Sequence, residues 1–269
     1  MIWFTVIILA ILQGVAEFLP ISSSGHLAVL SALCGLPQND GAAFSIVLHA
    51  GSLLAIVVFY FKTLLGFLKK DQLHLLAMII IGSIPAGVVG ITLKKTGMDQ
   101  KLFGDMLSVA MGFLITASIL RLTGKEKLRV PGETDLKDIS LRQCLTVGFA
   151  QAFAIIPGVS RSGSTIAAGI LSGIRFEAAA TFSFLLALPA IAGATLLELI
   201  SLSENGFQLG KFSAMQLSVA FILSAAVSFA SLGLLATLIK KRKLSYFSWY
   251  LFLLGASIMV WQILSLSKG

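Results

Sequence analysis

The chain has 269 residues, of which 57% are hydrophobic and only 12% charged, and its mean hydropathy is +0.96. A water-soluble domain carries about 25% charged residues, so the composition excludes that class and points to an integral membrane protein. The formal net charge is +8, but the basic residues punctuate the ends of apolar runs, as Lys69-Lys70, Lys94-Lys95 and Lys240-Lys241-Arg242-Lys243. They read as membrane-topology signals and not as a nucleic-acid footprint.

Residues 2–36 come first, apolar but broken at Pro20 and at Ser22-Ser23-Ser24-Gly25. No basic residue precedes Lys62, so this stretch lacks the positive region of a signal peptide and is expected to be retained. Membrane-spanning helices need about 20 mostly apolar residues. Three such runs follow, at roughly 41–62, 73–94 and 102–121. The mixed acidic and basic segment 121–142 reads as a solvated loop. Residues 141–174 are again broken, at Pro157-Gly158 and over 160–165. Three further spanning runs close the chain, at roughly 176–200, 214–239 and 246–267.

Each broken region gives two short helical pieces around a polar break. Irregular backbone at membrane depth is tolerated only where protein or a wet cavity surrounds it. Each is therefore predicted to be a re-entrant helix–loop–helix hairpin that enters and leaves on one side. The expected fold is all-α and polytopic, one integral membrane domain over residues 1–269, with six transmembrane helices plus two re-entrant hairpins. Cys34 and Cys144 are isolated and fit neither a disulfide framework nor a metal site; they read as small buried hydrophobes.

The two broken regions are related. A shift of 138 places Gln13 on Gln151, Ala16 on Ala154, Ser22 on Ser160, Ser24 on Ser162 and Gly25 on Gly163. It continues without a gap through Leu33 on Leu171, Gly35 on Gly173, Phe44 on Phe182, Ser45 on Ser183 and Leu48 on Leu186. Such a run is an internal repeat, with repeat one at about 1–122 and repeat two at about 141–267. One hairpin plus three spanning helices per repeat is an odd number of crossings, so the repeats are expected to be inverted. Inverted repeats with broken elements place their sites near the bilayer midplane, and the two loops should meet tip to tip.

Lys and Arg collect in the 62–72, 121–142 and 240–243 loops and at Arg175, whereas the opposite side holds Lys94, Lys95, Lys101, Lys211 and Lys268. The positive-inside rule makes the first side cytoplasmic. Both termini and the first hairpin's entry are then outside, and the second hairpin enters from the cytoplasm.

The loops hold a carboxylate, an imidazole, a guanidinium and seven hydroxyls between Glu17 and His26 and between Pro157 and Thr165. Intramembrane groups of this kind mark a functional site by default. Gln13 and Glu17 share a helix face; an ionised Glu17 at this depth needs a cation, a metal or a proton. Ser22, Ser23, Ser24 and Gly25 precede His26 at a helix start, where serines cap and free N–H groups bind anions. In the second loop the planar fork of Arg161 suits phosphate or carboxylate, and Ser160, Ser162, Gly163, Ser164 and Thr165 surround it as in an anion nest. The same shift sets Ser23 on Arg161, Glu17 on Ile155 and His26 on Ser164, so one loop carries the candidate nucleophile, base and acid and the other the anion clamp. That asymmetry favours an enzyme over a symmetric transporter. His49 reads as structural, Glu177, Glu198 and Glu204 as interfacial. The sequence has no HExxH motif, no Cys/His cluster and no Walker loop.

At these residues the chain closely resembles the undecaprenyl-diphosphate phosphatase family, the bacitracin-resistance type of integral membrane phosphatase. The resemblance covers nearly the whole chain and is carried by Gln13-Gly-Val-Ala-Glu-Phe-Leu-Pro-Ile-Ser-Ser-Ser-Gly-His26, Pro157-Gly-Val-Ser-Arg-Ser-Gly-Ser-Thr165 and Phe182-Ser-Phe-Leu-Leu-Ala-Leu-Pro189. It implies hydrolysis of undecaprenyl diphosphate to the monophosphate and inorganic phosphate, recycling the lipid carrier for cell-wall synthesis. It also implies a divalent cation, Mg²⁺ or Ca²⁺, and a multi-pass protein of the bacterial cytoplasmic membrane whose site faces the periplasm or outer surface. The family's acidic motif falls on Gln13 and Glu17, its Ser-Gly-His stretch on Ser24, Gly25 and His26 with Ser23 before it, and its phosphate-binding arginine on Arg161. Where some members have two glutamates this chain has Gln13, so Glu17 carries more of the metal binding. The expected partners are a polyprenyl diphosphate lipid and the bilayer, with no nucleic acid, and a homodimer is left open. Ser23 is the favoured nucleophile with His26 as base and later acid; direct attack by His26 is the alternative. A polyprenyl-phosphate transporter or flippase is the rival class, and a structural membrane subunit the third.

Overall fold

The computed structural model describes residues 2–33, 42–98, 102, 105–124, 132–204 and 212–266. Cys34, Gly35, Lys101, Lys211 and Lys268, used in the sequence reading, lie outside the described residues. Eleven α-helices run through the described part: α1 (Ile2–Ala16), α2 (Ser23–Leu33), α3 (Ala42–Phe59), α4 (Phe61–Gly66), α5 (Leu73–Thr96), α6 (Met106–Thr123), α7 (Leu141–Phe153), α8 (Arg161–Leu171), α9 (Phe176–Glu204), α10 (Ala214–Lys240) and α11 (Tyr246–Leu266).

Local signals set the boundaries. Asp105 caps α6, its carboxylate accepting from the N–H groups of Leu107 and Ser108 at 3.1 and 3.0 Å. Ser140 with Gln143 and Ser213 with Gln216 form capping boxes at the starts of α7 and α10. These reciprocal bonds satisfy donors that a helix start otherwise leaves open. Helix α5 stops at Gly97, whose φ of +64° gives the left-handed cap that favours glycine.

Five helices, α5, α6, α9, α10 and α11, are long and apolar enough to cross a membrane. The remaining predicted span, 41–62, is the shorter α3 followed after Tyr60 by α4. Both broken regions appear as two short helices around a turn, α1 with α2 and α7 with α8. Many large apolar side chains of the long helices face outward, among them Ile80, Val88, Ile222 and Phe252; these are the surfaces a bilayer would cover. Cys144 is fully buried, its thiol donating to the Met78 carbonyl, as a small core residue would.

The packing is paired. Helix α1 lies on α10 as α7 lies on α5, and α3 meets α10 as α9 meets α5. Between them α3 packs on α9 and α6 on α11, each helix on its own counterpart in the 138 shift. This exchange of equivalent partners is the contact pattern of pseudo-twofold symmetry. Between apolar helices there is little hydrophobic drive, so hydroxyls and small residues hold the contacts. At the α3–α10 seam the Ser52 hydroxyl pairs with Ser228 at 3.0 Å, and Ser224 donates to the Leu48 carbonyl at 2.8 Å.

Candidate active site

The two turns meet. Arg161 opens α8 and reaches across to Glu17, just past α1, with Nη2 donating to Oε1 at 2.7 Å. Glu17 is 8% exposed and Arg161 15%. The other carboxylate oxygen of Glu17 accepts from Gln13 Nε2 at 3.0 Å and from the Ser23 hydroxyl at 2.7 Å. One buried carboxylate thus gathers three donors from both hairpins. Hydrogen bonds to a charged group contribute about 1.5–3 kcal/mol each, and losing one member of a buried ion pair costs about 3–5 kcal/mol.

Both helix starts use the same cap. Ser22 Oγ accepts from the Gly25 N–H at 3.3 Å, and Ser160 Oγ accepts from the Gly163 N–H at 3.1 Å. The N–H groups of His26 and Ser164 bond the carbonyls of Ser22 and Ser160. The amides of Gly25 and Gly163 are therefore engaged by the caps, and those of His26 and Ser164 by the first helical bonds. Ser22 holds φ at +69°, a left-handed conformation that is uncommon outside glycine. That turn aims Ser23 at Glu17.

The other hydroxyls divide. Ser24 pairs with Ser22 at 3.4 Å, and Ser162 donates to the Leu19 carbonyl at 3.2 Å, tying the second loop to the first. Thr165 pairs with Ser183 on α9 and bonds back to the Arg161 carbonyl. Ser164 Oγ, Arg161 Nη1 and Gln13 Oε1 are buried and find no partner among the described residues. Neither does Gln151, whose two amide atoms are both buried.

His26 is not on Ser23. Its Nδ1 lies 2.8 Å from the Ser22 carbonyl and its Nε2 2.6 Å from the Tyr250 hydroxyl on α11. A carbonyl oxygen only accepts, so Nδ1 carries the proton and, in the neutral ring, Nε2 accepts from Tyr250. The base nearest the Ser23 hydroxyl is Glu17.

Helix α6 holds both loops in place. The Phe113 ring meets His26 edge-on with centroids 5.0 Å apart. A Cβ on Gly25 would lie 2.7 Å from Phe113 and 2.9 Å from Gly158 Cα, so glycine is what lets the loops touch. Thr116 donates to the Gly158 carbonyl at 3.1 Å and accepts from the Ser160 N–H at 2.9 Å. Gly158 has φ +81° and packs so closely on α6 that an added Cβ would meet the Val109 carbonyl oxygen. Sequence reasoning missed Thr116, Phe113 and Tyr250, which sit in apolar helices outside any motif.

A second polar group adjoins the centre. His49 bonds Ser45 at 3.2 Å, one turn before it on α3. Glu198 was expected at an interface, at or beyond a helix end. Instead it lies more than a turn before the end of α9 at Glu204, with Oε2 buried, because the helix runs on past the predicted boundary.

For a divalent cation, no group of three or more His, Cys, Asp or Glu side chains gathers among the described residues. What the centre does offer is the Glu17 carboxylate beside the partnerless Gln13 Oε1. Carboxylate and amide oxygens are the ligand types a hard cation takes, with water and phosphate completing its shell.

A family model described as bacitracin resistance protein BacA matches residues 6–257. A protein of Rhodopirellula baltica named undecaprenyl-diphosphatase is 39% identical over 245 residues, covering 91% of this chain and 92% of its own. Similar proteins of the same name occur in Carboxydothermus hydrogenoformans, 35% identical over 96% of this chain and 97% of its own, and in Methanosphaera stadtmanae, 36% identical with the same coverage.

Proposed function

Because this chain belongs to the bacitracin resistance protein BacA family of undecaprenyl-diphosphatases, we propose that the Glu17–Arg161 centre is where it hydrolyses undecaprenyl diphosphate to undecaprenyl phosphate and inorganic phosphate. This reaction returns the lipid carrier to cell-wall synthesis. The observation that supports the assignment is the single buried carboxylate of Glu17 that takes donors from Gln13, Ser23 and Arg161 at once.

In this reading the polyprenyl tail stays in the lipid and the diphosphate enters the space between the loop tips. Arg161 is held to Glu17 by one nitrogen and offers the other, Nη1, to a phosphate oxygen. Neutralising phosphate charge is the main catalytic need in phosphoryl transfer. Ser23 attacks the terminal phosphorus, its proton passing to Glu17 along the existing 2.7 Å hydrogen bond, and undecaprenyl phosphate leaves. Water then attacks the phosphoserine and gives a proton to His26 Nε2, while Glu17 returns its proton to the departing Ser23 Oγ along the same hydrogen bond, so the hydroxyl is restored as inorganic phosphate leaves. His26 is fixed at Nδ1 by the Ser22 carbonyl, and its Nε2, which accepts from Tyr250 in this structure, serves proton transfer when that hydroxyl gives way to the attacking water. Glu17 and Gln13 would hold a divalent cation, Mg²⁺ or Ca²⁺. Such an ion supplies further neutralisation of the diphosphate when bound.

The topology proposed with this chemistry has α3 as a sixth crossing, with the α1–α2 and α7–α8 hairpins entering from opposite sides. The repeats are 1–122 and 141–267, inverted, and the site opens to the outer surface. Support comes from the 138-residue shift and from the exchange of equivalent helix partners. A flippase would use two like halves. Here Glu17, Ser23 and His26 stand against Ile155, Arg161 and Ser164, which favours the enzyme.

The test is phosphate release from undecaprenyl diphosphate by purified protein in detergent, where no compartments exist to transport between. Wild type should turn over with Mg²⁺ or Ca²⁺, and Glu17→Gln, Ser23→Ala and His26→Ala should not. Near-full turnover by Ser23→Ala would remove serine as nucleophile in favour of His26. Absence of turnover in wild type would end the assignment of the reaction to this centre.

A further inference from the structure

We propose that Gln151 is a phosphate-binding residue of this active site. It would do for a substrate phosphate what Gln13 does for the Glu17 carboxylate. The inference rests on the phosphatase reading and assigns a group that the reading has not used.

In the first hairpin the Gln13 amide and the Ser23 hydroxyl donate to the same oxygen of Glu17. An amide near the end of one short helix and the first residue of the next thus share one anion. The 138 shift carries Gln13 onto Gln151 and Ser23 onto Arg161, but Glu17 onto Ile155. The second hairpin keeps the amide, exchanges the hydroxyl for a guanidinium and deletes the anion between them.

The structure bears the mark of that deletion. Gln151 is 2% exposed, and neither its Nε2 nor its Oε1 has a partner among the described residues. Arg161 Nη1 and Ser164 Oγ, on the adjoining α8, are buried and partnerless as well. Buried polar groups are nearly always hydrogen-bonded, so three orphaned side chains flanking one turn call for a ligand that supplies their partners. An amide NH₂, a guanidinium NH₂ and a hydroxyl are all donors, and the amide Oε1 can accept from the O–H of a protonated phosphate. Their shared complement is a compact oxyanion with several acceptor oxygens, and one phosphate of the diphosphate meets that description.

The experiment compares wild type, Gln151→Leu and Gln151→Glu as purified full-length protein. It reads phosphate release from undecaprenyl diphosphate, and thermal unfolding with and without inorganic phosphate. Leucine fills the amide's volume and removes both orphaned atoms, so Gln151→Leu should melt no lower than wild type. Its KM should rise about tenfold or more, the scale of one hydrogen bond to a charged group. Inorganic phosphate should raise the melting temperature of wild type and of neither variant. Gln151→Glu keeps the shape and sets a carboxylate against the phosphate, so it carries the same test if the leucine variant fails to fold.

A Gln151→Leu protein that melts lower than wild type and keeps its KM would make Gln151 a structural residue and overturn the proposal. So would phosphate stabilisation that persists in Gln151→Glu or is missing from wild type. A wild type that binds phosphate through Gln151 but releases none from the lipid would uphold this site while ending the hydrolytic assignment.

Discussion

His26 Nε2 and the Tyr250 hydroxyl are 2.6 Å apart although 224 residues separate them in sequence. The ring is gripped at both nitrogens, by the Ser22 carbonyl and by the phenol. It also lies nearly parallel to the tyrosine ring at 5.7 Å. The Ser22 carbonyl therefore fixes the tautomer of the histidine, and Tyr250 holds its orientation.

Tyr250→Phe removes that grip and little else, since Tyr250 is 46% exposed. Turnover is expected to fall about tenfold, the scale of one hydrogen bond, with KM unchanged. Steady-state phosphate release decides it; unaltered kcat would reduce Tyr250 to a packing role.

Arg161→Lys keeps the charge beside Glu17 but not the fork. An ammonium is a point charge and cannot reproduce the planar pair of nitrogens. The protein should fold, while kcat/KM drops about 100-fold, as for loss of a positioned transition-state donor. Arg161→Ala should also destabilise the fold, by about 3–5 kcal/mol, because Glu17 stays buried without its partner. Parallel melting curves and kinetics separate the two effects.

Chelation of divalent cations is expected to suppress turnover reversibly. Gln13→Glu places a second carboxylate beside Glu17 and should lower the Mg²⁺ or Ca²⁺ concentration needed for half-maximal rate. A variant that needs the same concentration as wild type would separate Gln13 from the cation.

Outside the membrane-spanning segments, Asp105 gives a pH dependence of known sign. The Ser108 hydroxyl first, and then the Leu107 and Ser108 N–H groups, hold its carboxyl below the usual carboxylate range. A depressed folded value means the stabilisation is complete above the unfolded value of about 4 and is lost as pH falls through the lower folded one. Asp105→Ala should cost about 1 kcal/mol at neutral pH, the value of an N-cap. Asp105→Asn should retain most of the cap and lose its acid sensitivity, as thermal melts between pH 3 and 7 at about unit intervals would record.

The breaks in the fold were legible because prolines and runs of serine and glycine interrupt apolar segments where nothing else does. Glu17 and Arg161 stood out for a related reason, since a lone charge in such surroundings demands a partner, and each is the other's. Which serine caps each helix was not legible, because a serine run before a helix offers several capping candidates and only geometry picks out Ser22 and Ser160. Phe113, Thr116 and Tyr250 were not legible. An aromatic or a threonine in a lipid-facing helix has no spacing that reveals a contact made to a distant loop. Glu198 was misplaced because composition set the end of α9 too early.

Both loops rest on one stretch of α6, Phe113 against Gly25 and His26 and Thr116 against Gly158 and Ser160. The duplicated halves are thus braced by a single strut that belongs to only one of them. Gly112→Ala, whose methyl would clash with the Pro157 carbonyl oxygen and the Gly158 backbone, would push the second loop off α6 and with it the Arg161 that reaches Glu17. A defect placed on one helix would thus be felt in both halves of the centre.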